Sequence, residues 1–216
     1  MPLPTPLKKY KLVKDNYCIC YYGINKEYIV QLRLLRPFIE KQFEGLSIYI
    51  CCSDDSMYLL REQKNVFAKS RINELRDRVS YIRTLEDSTD SHPVEDLLKE
   101  SGILCPALKI PSREIRSKKC ALLTNGVGPV RSLTGKQISL IVNKFEKEGF
   151  RVIINPKIEE IIEDFEVVVG VESVALYESA CRGLRTCLVP TGIGKNLFDS
   201  MFPSNEAIRL EDQVNI

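Results

Sequence analysis

The stretch VVVGVESVALYESACRGLRTCLVP, residues 167–190, carries the signals of a complete β-α-β unit. Its leading valines form an apolar run typical of a buried strand, which ends at Gly170. The residues that follow predict a helix ending near Gly183, and LRTCLVP then predicts a second buried strand. Two strands joined by one helix pair in parallel through a right-handed crossover. The stretch therefore predicts a parallel sheet with helices packed against it.

The rest of the chain repeats this alternation of strands and helices. Apolar runs predict strands, and segments with helical spacing predict helices. Pro37 is expected to kink or end the first helix, because its ring removes a backbone hydrogen bond. The predicted strands cover residues 17–22, 46–52, 79–85, 120–125, 151–155, 166–170, 184–190 and about 207–210. The predicted helices cover residues 25–43, 53–63, 93–101, 136–149, 157–165, 172–183 and about 195–201.

The segment CPALKIPSREIRSKK, residues 105–119, interrupts the alternation. It has two prolines, five basic residues and little periodicity, which is typical of a linker. We therefore predict an N-terminal half over residues 1–115 and a C-terminal half over residues 116–216. The predicted fold class is α/β, with two Rossmann-like halves whose parallel sheets face a cleft. Ligands of such sheets bind outside the carboxyl ends of the strands.

Composition and charge exclude several classes of protein. The 216 residues include 31 basic and 29 acidic side chains, for a net charge of +2, so a nucleic-acid partner is not indicated. No apolar run approaches the ~20 residues that span a bilayer. Residues 1–14 contain prolines and lysines without an apolar core, so they do not resemble a signal peptide. We expect a cytoplasmic protein whose basic first residues are either solvated or in peripheral contact with an anionic membrane.

The eight cysteines are predicted to be buried free thiols. No pair of them has the CxxC spacing, and the chain has a single histidine, His92. Zinc sites usually need a closer set of such ligands. We therefore expect a reducing compartment, no bound metal and no cofactor.

The segment NGVGPVRSLTG, residues 125–135, follows a predicted strand and precedes a predicted helix. Small residues such as Asn125, Gly126 and Gly128 let the backbone approach a ligand, and amides at a helix start attract phosphate oxygens. Arg131 could clamp a phosphate with two parallel hydrogen bonds. The spacing is neither GxGxxG nor GxxxxGK[ST], so a dinucleotide oxidoreductase or a kinase-type loop is not indicated. The same residues also fit an ordinary turn with a solvated arginine.

A second group of candidate residues surrounds the end of the first strand in the opening stretch. Gly170 allows a tight turn, and Glu172 and Ser173 stand at the junction of strand and helix. Ser173 can cap the helix, and its amide and hydroxyl would point toward a bound phosphate. Glu178 falls within the helix, where a carboxylate can accept two hydrogen bonds from a ribose diol. Solvated acids at both glutamates fit the pattern as well.

These motifs resemble the donor-binding unit of GT-B glycosyltransferases, in which a strand, a G-x-[DE]-[ST] turn and a helix meet the nucleotide sugar. The E-x4-G spacing that begins at Glu178 is similar to the unit that binds uridine ribose in the peptidoglycan GlcNAc transferases. The turn is closer to the V-G-x-D-[ST]-G-x-x-H pattern of the family 9, heptosyltransferase-like enzymes. In that pattern Glu172 takes the acid and Ser173 the hydroxyl, whereas Val174 replaces the glycine and Tyr177 the histidine.

The resemblance extends over most of the chain. The run LLTNGVGPVRSLTGKQISLIVNKFEKEGFRVII follows the order of the corresponding family 9 segment, with Arg131 where that family has lysine. The family's catalytic acid follows the first strand in a G-D pair, whereas this chain has GINKE, so Glu27 is the nearest acid and Asp15 a second candidate. Lys195 in TGIGKN is either a further phosphate ligand or a solvated lysine. Typical GT-B enzymes are longer, so the resemblance implies a form reduced in length.

The resemblance implies a metal-independent glycosyltransferase that moves a sugar from a nucleotide-activated donor to a surface polysaccharide or glycolipid acceptor. Glu27 or Asp15 would deprotonate the acceptor hydroxyl. The 125–128 backbone, Arg131 and the helix start at Ser173 would stabilise the departing diphosphate. A non-catalytic nucleotide- or sugar-binding domain, or a transferase-partner domain, is the alternative on the same fold. An α/β enzyme of another class is a third hypothesis, and the lack of a G-x-S-x-G motif weakens its hydrolase form.

Overall fold

The computed structural model describes residues 18–23, 25–42, 47–61, 63–71, 81–86, 92–126, 132–190, 197–203 and 206–207. The chain divides into two compact units, Met1–Pro106 and Ala107–Ile216. Each unit has its own parallel sheet with associated helices. The predicted α/β class with two Rossmann-like units is therefore confirmed.

Among the described residues, the first unit contains a four-stranded parallel sheet in the order β3-β2-β1-β4. Its strands are β1 (Cys18–Gly23), β2 (Ser47–Cys52), β3 (Val66–Ala68) and β4 (Tyr81–Leu85). Its helices are α1 (Lys26–Gln42), a 3₁₀ helix (Asp54–Leu60), a 3₁₀ turn (Lys69–Arg71) and α2 (Pro93–Glu100). Gly23 pairs with Cys52 of β2 and with Leu85 of β4, so these three strands end at one edge of the sheet.

Helix α1 supplies much of the core of the first unit. Four of its apolar residues lie at helical spacing and are at most 1% exposed: Ile29, Leu32, Leu35 and Ile39. They form the apolar stripe that a packed helix needs. Pro37 does not end the helix, which continues to Gln42. Pro37 is exposed, so water can bond the carbonyl left without a partner by the missing N–H.

Among the described residues, the second unit contains a five-stranded parallel sheet in the order β6-β5-β7-β8-β9. Its strands are β5 (Lys119–Leu123), β6 (Arg151–Ile154), β7 (Val167–Gly170), β8 (Arg185–Leu188) and β9 (Glu206–Ala207). Its helices are α3 (Gly135–Lys147), α4 (Ile158–Asp164), α5 (Val174–Cys181) and α6 (Leu197–Met201). The stretch 167–190 thus forms the predicted strand, helix and strand.

The middle of this second sheet is its most deeply buried part. The side chains of Leu122, Val167 and Val169 are 0% exposed, as expected for central strands of a covered parallel sheet. At Gly170 the neighbouring strand β5 comes so close that a Cβ atom would overlap the backbone of Leu123. Gly170 is therefore required by close packing between β5 and β7, in addition to the turn that we predicted for it.

The segment that follows Pro106 belongs to the second unit. The amide of Leu108 donates to the carbonyl of Met201 at 2.7 Å, and the amide of Arg113 donates to the carbonyl of Gly183 at 2.7 Å. Gly183 has a φ of +74°, and a Cβ there would overlap the carbonyl oxygen of Pro111. The first unit ends at Pro106, and the backbone of the predicted linker is hydrogen-bonded to the second unit.

Three local features differ from the sequence-based expectation. The predicted helix over residues 53–63 is a 3₁₀ helix, Asp54–Leu60. The strand β3 was not predicted, because three residues are too few to show a periodicity. The predicted strand near residues 207–210 begins at Glu206 and lies mostly outside the described residues.

The described cysteines agree with the prediction of free thiols. Cys51, Cys52, Cys120 and Cys187 are buried thiols outside any disulfide bond, and Cys105 and Cys181 are partly exposed thiols outside any disulfide bond. Within the described ranges, no helix is long and apolar enough to cross a membrane.

Candidate functional site

The second sheet reverses its strand order between β5 and β7. From β5 the chain moves outward to β6, and it then returns to the other side of β5 to form β7. A reversal of this kind opens a crevice outside the carboxyl ends of the two strands, where ligands of open α/β sheets bind. Leu123 pairs with Gly170 at this edge, and the amide of Val171 donates to the carbonyl of Leu123 at 3.2 Å. The loop after β5 and the turn after β7 therefore start side by side.

The loop after β5 is held at both ends. The amide of Leu133 donates to the carbonyl of Thr124 at 2.8 Å, and Asn125 forms an isolated antiparallel bridge with Ser132. Asn125 is exposed and Gly126 is partly exposed, so both are accessible from solvent. Gly128 and Arg131 lie outside the described residues, and their predicted phosphate contacts stay predictions.

Asn155 anchors the start of this loop and was missed by the sequence reasoning. Its Oδ1 accepts from the amide of Thr124 at 2.9 Å, and its Nδ2 donates to Thr124 Oγ1 at 2.8 Å. The backbone of Asn155 has a φ of 47°, in the left-handed region that asparagine tolerates better than most residues. The asparagine directly before a proline at the end of β6 is the signal that could have indicated a turn here.

The helix that follows the loop has a fixed beginning. Thr134 caps α3 by accepting from the amide of Gln137 at 3.3 Å, and the side chain of Gln137 accepts from the amide of Thr134 at 2.9 Å. This reciprocal capping box satisfies two backbone donors at the first turn. It uses the Gln137 amide, which is therefore not available to a ligand at this helix start.

The turn after β7 positions Glu172. The hydroxyl of Tyr177 donates to Glu172 Oε1 at 2.5 Å, and Glu172 is partly exposed. The ring of Tyr177 is fully buried and packs edge-on against Phe198 and Phe202, at centroid distances of 5.2 and 6.1 Å. A buried aromatic residue thus holds the carboxylate at the crevice. The sequence comparison had treated Tyr177 only as a replacement for a family histidine.

Ser173 caps helix α5, as predicted. Its backbone is extended, with φ −159° and ψ 161°, and its Oγ accepts from the amide of Leu176 at 3.4 Å. The amide of Tyr177 donates to the carbonyl of Ser173 at 3.1 Å. The hydroxyl accepts one hydrogen bond in the cap and keeps its own proton to donate.

Glu178 lies in the second turn of α5 and is 8% exposed. Arg182 Nη1 donates to Glu178 Oε2 at 2.9 Å, one turn further along the helix. Arg182 is more exposed than Glu178, so it covers the carboxylate from the solvent side. The alternative interpretation of Glu178 as a solvated surface acid is therefore wrong. A carboxylate has lone pairs for more than one donor, so the ion pair leaves it able to accept from a ligand.

Glu27, the predicted base, lies in the first unit. It occupies the first turn of α1, directly after the carboxyl edge of β1, and is buried. Gln31 Nε2 donates to Glu27 Oε1 at 3.4 Å and lies 3.4 Å from His92 Nε2. The ring of Tyr28 meets His92 edge-on, with 5.5 Å between the centroids. Asp15 lies outside the described residues.

His92 is the buried N-cap residue of α2. Its neighbour Gln31 is far away in the sequence, so no local pattern could have paired them. The structure thus adds Gln31 and His92 to the surroundings of Glu27. Lys195 lies outside the described residues and stays a prediction.

A cavity of about 520 Å³ lies at the opposite edge of the second sheet. It is bordered by the linker from Leu108 to Arg116 and by Gly183 and Arg185 at the beginning of β8. None of the predicted site residues that the structure describes lines this cavity. The position of the candidate site therefore rests on strand ends and side-chain contacts.

No family model matches the chain, and no curated protein matches it either. Solved structures do match it. The iron-containing dodecameric glycosyltransferase TibC from enterotoxigenic E. coli is similar, with a TM-score of 0.57 and 10% identity over 83% of this chain. The two-unit α/β fold is GT-B-like. The chain spans 61% of the length of that TibC chain.

Two further glycosyltransferase structures are similar to this GT-B chain. A family 9 glycosyl transferase from Veillonella parvula has a TM-score of 0.49 and 9% identity, covering 92% of this chain and 88% of its own. The E. coli heptosyltransferase WaaC, in a structure with ADP-2-deoxy-2-fluoro heptose, has a TM-score of 0.48 and 9% identity, covering 89% and 93%. The similarity to TibC, with its TM-score of 0.57, confirms the predicted resemblance at the level of the fold.

Proposed function

We propose that this GT-B chain is a glycosyltransferase that moves a sugar from a nucleotide-activated donor to a surface polysaccharide or glycolipid acceptor. The observation that carries the proposal is the pairing of Leu123 with Gly170. It brings the loop at Asn125 and the turn at Glu172 to one crevice of the second sheet. Because both predicted ligand-binding segments begin there, a single ligand can contact both.

In this proposal the second unit binds the donor. The backbone of Asn125 and Gly126, with Gly128, approaches the diphosphate, and Arg131 and Lys195 balance its charge. Glu178 accepts from the ribose hydroxyls while its hydrogen bond from Arg182 keeps it oriented. Glu172, held by Tyr177, and Ser173 at the start of α5 accept from and donate to the ligand at the end of β7.

The proposed reaction is displacement at the anomeric carbon of the donor sugar. Glu27 takes the proton of the acceptor hydroxyl, with Asp15 as the second candidate base. The acceptor oxygen then bonds to the anomeric carbon as the bond to the diphosphate oxygen breaks. The nucleoside diphosphate leaves with its charge stabilised by the loop amides and Arg131, without a metal ion. Gln31 orients the Glu27 carboxylate by its hydrogen bond.

A non-catalytic sugar- or nucleotide-binding domain of the same fold is the second candidate. The burial of Glu27 favours this second candidate, because the residue is 0% exposed. A base must reach the acceptor hydroxyl. In a binding domain, the cluster of Glu27, Gln31 and His92 would only stabilise the junction of β1 and α1. Either function suits the cytoplasm, where nucleotide-activated donors would be available.

The test begins with thermal unfolding in the presence of UDP, GDP, ADP, CMP and TDP and their sugars. A ligand at 100 times its dissociation constant should stabilise the chain by about 2.7 kcal/mol. We expect a shift with one nucleotide series, and we expect Glu178→Gln and Arg131→Ala to reduce it. Glu159→Gln changes an exposed acid of α4 and serves as the matched control. No shift with any of these ligands would contradict a donor site.

Glu27→Gln separates the two candidates. In a glycosyltransferase, this variant keeps the nucleotide-induced shift but loses release of the nucleoside diphosphate from the donor that binds. In a binding domain, the wild-type chain shows the shift and releases no nucleoside diphosphate at all.

A further inference from the structure

A depression of about 700 Å³ lies in the first unit, where β2 ends and the 3₁₀ helix begins. This volume falls within the ~300–1,000 Å³ of typical small-molecule sites. The residues that line it come from the 3₁₀ helix and from the segment leading into β3: Asp54, Asp55, Met57, Tyr58, Leu60, Arg61, Gln63, Asn65 and Val66. Most of these side chains are polar, so the depression suits a ligand that offers many hydrogen bonds.

Tyr58 presents an aromatic ring to this depression. It is 49% exposed, whereas its neighbours Leu59 and Leu60 are buried in the first unit. The 3₁₀ helix therefore packs its apolar side inward and carries Tyr58 on its outer side. Exposure of half of a large ring leaves apolar surface that a ligand can cover.

A charged pair stands beside the ring. Lys26 Nζ lies 5.6 Å from the centroid of the Tyr58 ring and 3.3 Å from Asp55 Oδ2. The side chains of Lys26 and Asp55 are 43% and 70% exposed, so both are open to a ligand. Hydrogen bonds from Ser53 and Lys26 lower the pKa of Asp55, which keeps its carboxylate ionised at neutral pH. Ring, donor and acceptor therefore stand next to one another.

This set of groups matches the chemistry of a sugar ring. One face of a pyranose carries C–H groups, whose slight positive charge is attracted to the negative face of an aromatic ring. Its adjacent hydroxyls both donate and accept, so a carboxylate and an ammonium group side by side can bind two of them. A phosphate fits less well, because Asp54 and Asp55 offset the charges of Arg61 in the lining and of Lys26, which pairs with Asp55 beside it.

The wall of the depression is held in place by hydrogen bonds that involve backbone groups. The amide of Ser70 donates to Asp54 Oδ1 at 3.3 Å, which ties the 3₁₀ helix to the segment after β3. The carbonyl of Asn65 accepts from the amide of Ile50 at 3.1 Å. Tyr58 is thus carried by an anchored helix, and a ring held in place loses little entropy when a ligand stacks on it.

We propose that Tyr58, Asp55 and Lys26 form a subsite for an uncharged sugar residue of the glycan acceptor. The assignment of that sugar to an acceptor rests on the proposed glycosyltransferase function. The subsite itself is a property of the first unit, and it binds a free glycoside whether or not the chain transfers sugar.

The experiment is saturation-transfer difference NMR on the full chain, with methyl glycosides of glucose, galactose, mannose and N-acetylglucosamine as probes. We expect saturation of the ring protons of at least one glycoside. Tyr58→Ala should weaken its binding about tenfold or more, whereas Tyr58→Phe should keep it because the ring is retained. Asp55→Asn should weaken binding as well. Phe38→Ala removes another exposed aromatic residue, on α1, and should leave binding unchanged.

The outcomes separate this inference from the proposed function. Binding of a nucleotide, together with glycoside signals that are absent or insensitive to Tyr58→Ala, would overturn the subsite alone. Glycoside binding that depends on Tyr58, in a chain that binds no nucleotide, would support the subsite and contradict the glycosyltransferase. Circular dichroism of Tyr58→Ala checks its fold, and loss of binding in a well-folded variant supports the proposal.

Discussion

Asn155 holds Thr124 by two hydrogen bonds across the ends of the neighbouring strands β5 and β6. The amide of Thr124 donates to Asn155 Oδ1 at 2.9 Å, and Asn155 Nδ2 donates to Thr124 Oγ1 at 2.8 Å. Thr124 is the last residue before the loop of Asn125 and Gly126, and it is 5% exposed. The side chain of one strand end thereby fixes the point from which the proposed phosphate loop departs.

Asn155→Ala is expected to destabilise the second unit by about 1–3 kcal/mol, because the amide and hydroxyl of the buried Thr124 lose their partner. Urea unfolding measures the change. Asn155→Asp should restore most of the stability, since its oxygens can accept from both the amide and the hydroxyl. Asn65→Ala is the matched control, because Asn65 also has a positive φ, of 53°, and is exposed. Equal losses at Asn155 and Asn65 would assign the effect to backbone conformation alone.

Tyr177→Phe is expected to weaken nucleotide binding by about tenfold while costing roughly 1–2 kcal/mol of stability. The variant removes the hydroxyl that donates to Glu172 and leaves the ring packed against Phe198. Isothermal titration with the nucleotide that stabilises the wild-type chain measures the affinity. Tyr49→Phe in the first unit is the control. Unchanged affinity in Tyr177→Phe would remove Glu172 from the proposed donor site.

Gly170→Ala is expected to cost about 3 kcal/mol or more, because the added methyl group overlaps backbone atoms of Leu123 that cannot move without breaking the β5–β7 pairing. Gly135→Ala is its counterpart. A Cβ at Gly135 meets no atom within 4 Å at the first position of α3, so this variant should gain about 0.5–1 kcal/mol. Thermal unfolding of the two variants should give opposite signs. A neutral Gly170→Ala would show that the two strands can separate slightly.

Stability is expected to fall as the pH rises above about 9, partly through Cys120. Burial, with Cys187 as a neighbour, raises the pKa of the Cys120 thiol from 9.0 to about 12. The folded chain therefore holds this proton more tightly than the unfolded chain. The stabilisation of the folded chain by this protonated thiol is complete below pH 9 and is lost as the pH rises toward 12.

The measurement is the free energy of unfolding in urea between pH 8 and about 11, for the wild-type chain and for Cys120→Ala. The variant should be less stable at pH 8 because it leaves a small void. Its stability should decline less steeply with pH, because the thiol is gone. Parallel pH profiles for the two chains would contradict the raised pKa.

Local patterns in the sequence were reliable where the interacting residues are close along the chain. Ser173 caps α5 and Gly183 follows its end, as the opening stretch indicates. The apolar stripe of α1 was visible because residues three and four apart share one side of a helix. A helix after the second strand was predicted too, although the helix that begins at Asp54 is a 3₁₀ helix.

The contacts that give the candidate site its geometry join residues that are distant in sequence. Thr124 meets Asn155, and Gln31 meets His92, through sheet order and helix placement. Tyr177 and Glu172 are only five positions apart, but the hydrogen bond between them also depends on tertiary structure. The buried ring of Tyr177 is held in place by α6 and the residues after it. No motif predicts such pairs, because each depends on the register of strands and helices.

The sequence by itself determined the alternation of strands and helices, the two-unit α/β class and the positions of the loops that follow the strands. These follow from hydrophobic periodicity, helix caps and glycine or proline breaks, all of which act over a few residues. The tertiary structure alone decided that β7 returns beside β5, that the linker bonds to the second unit, and that Asn155 and Tyr177 hold the two loops. Those features depend on which distant surfaces bury each other, and local chain chemistry does not specify that choice.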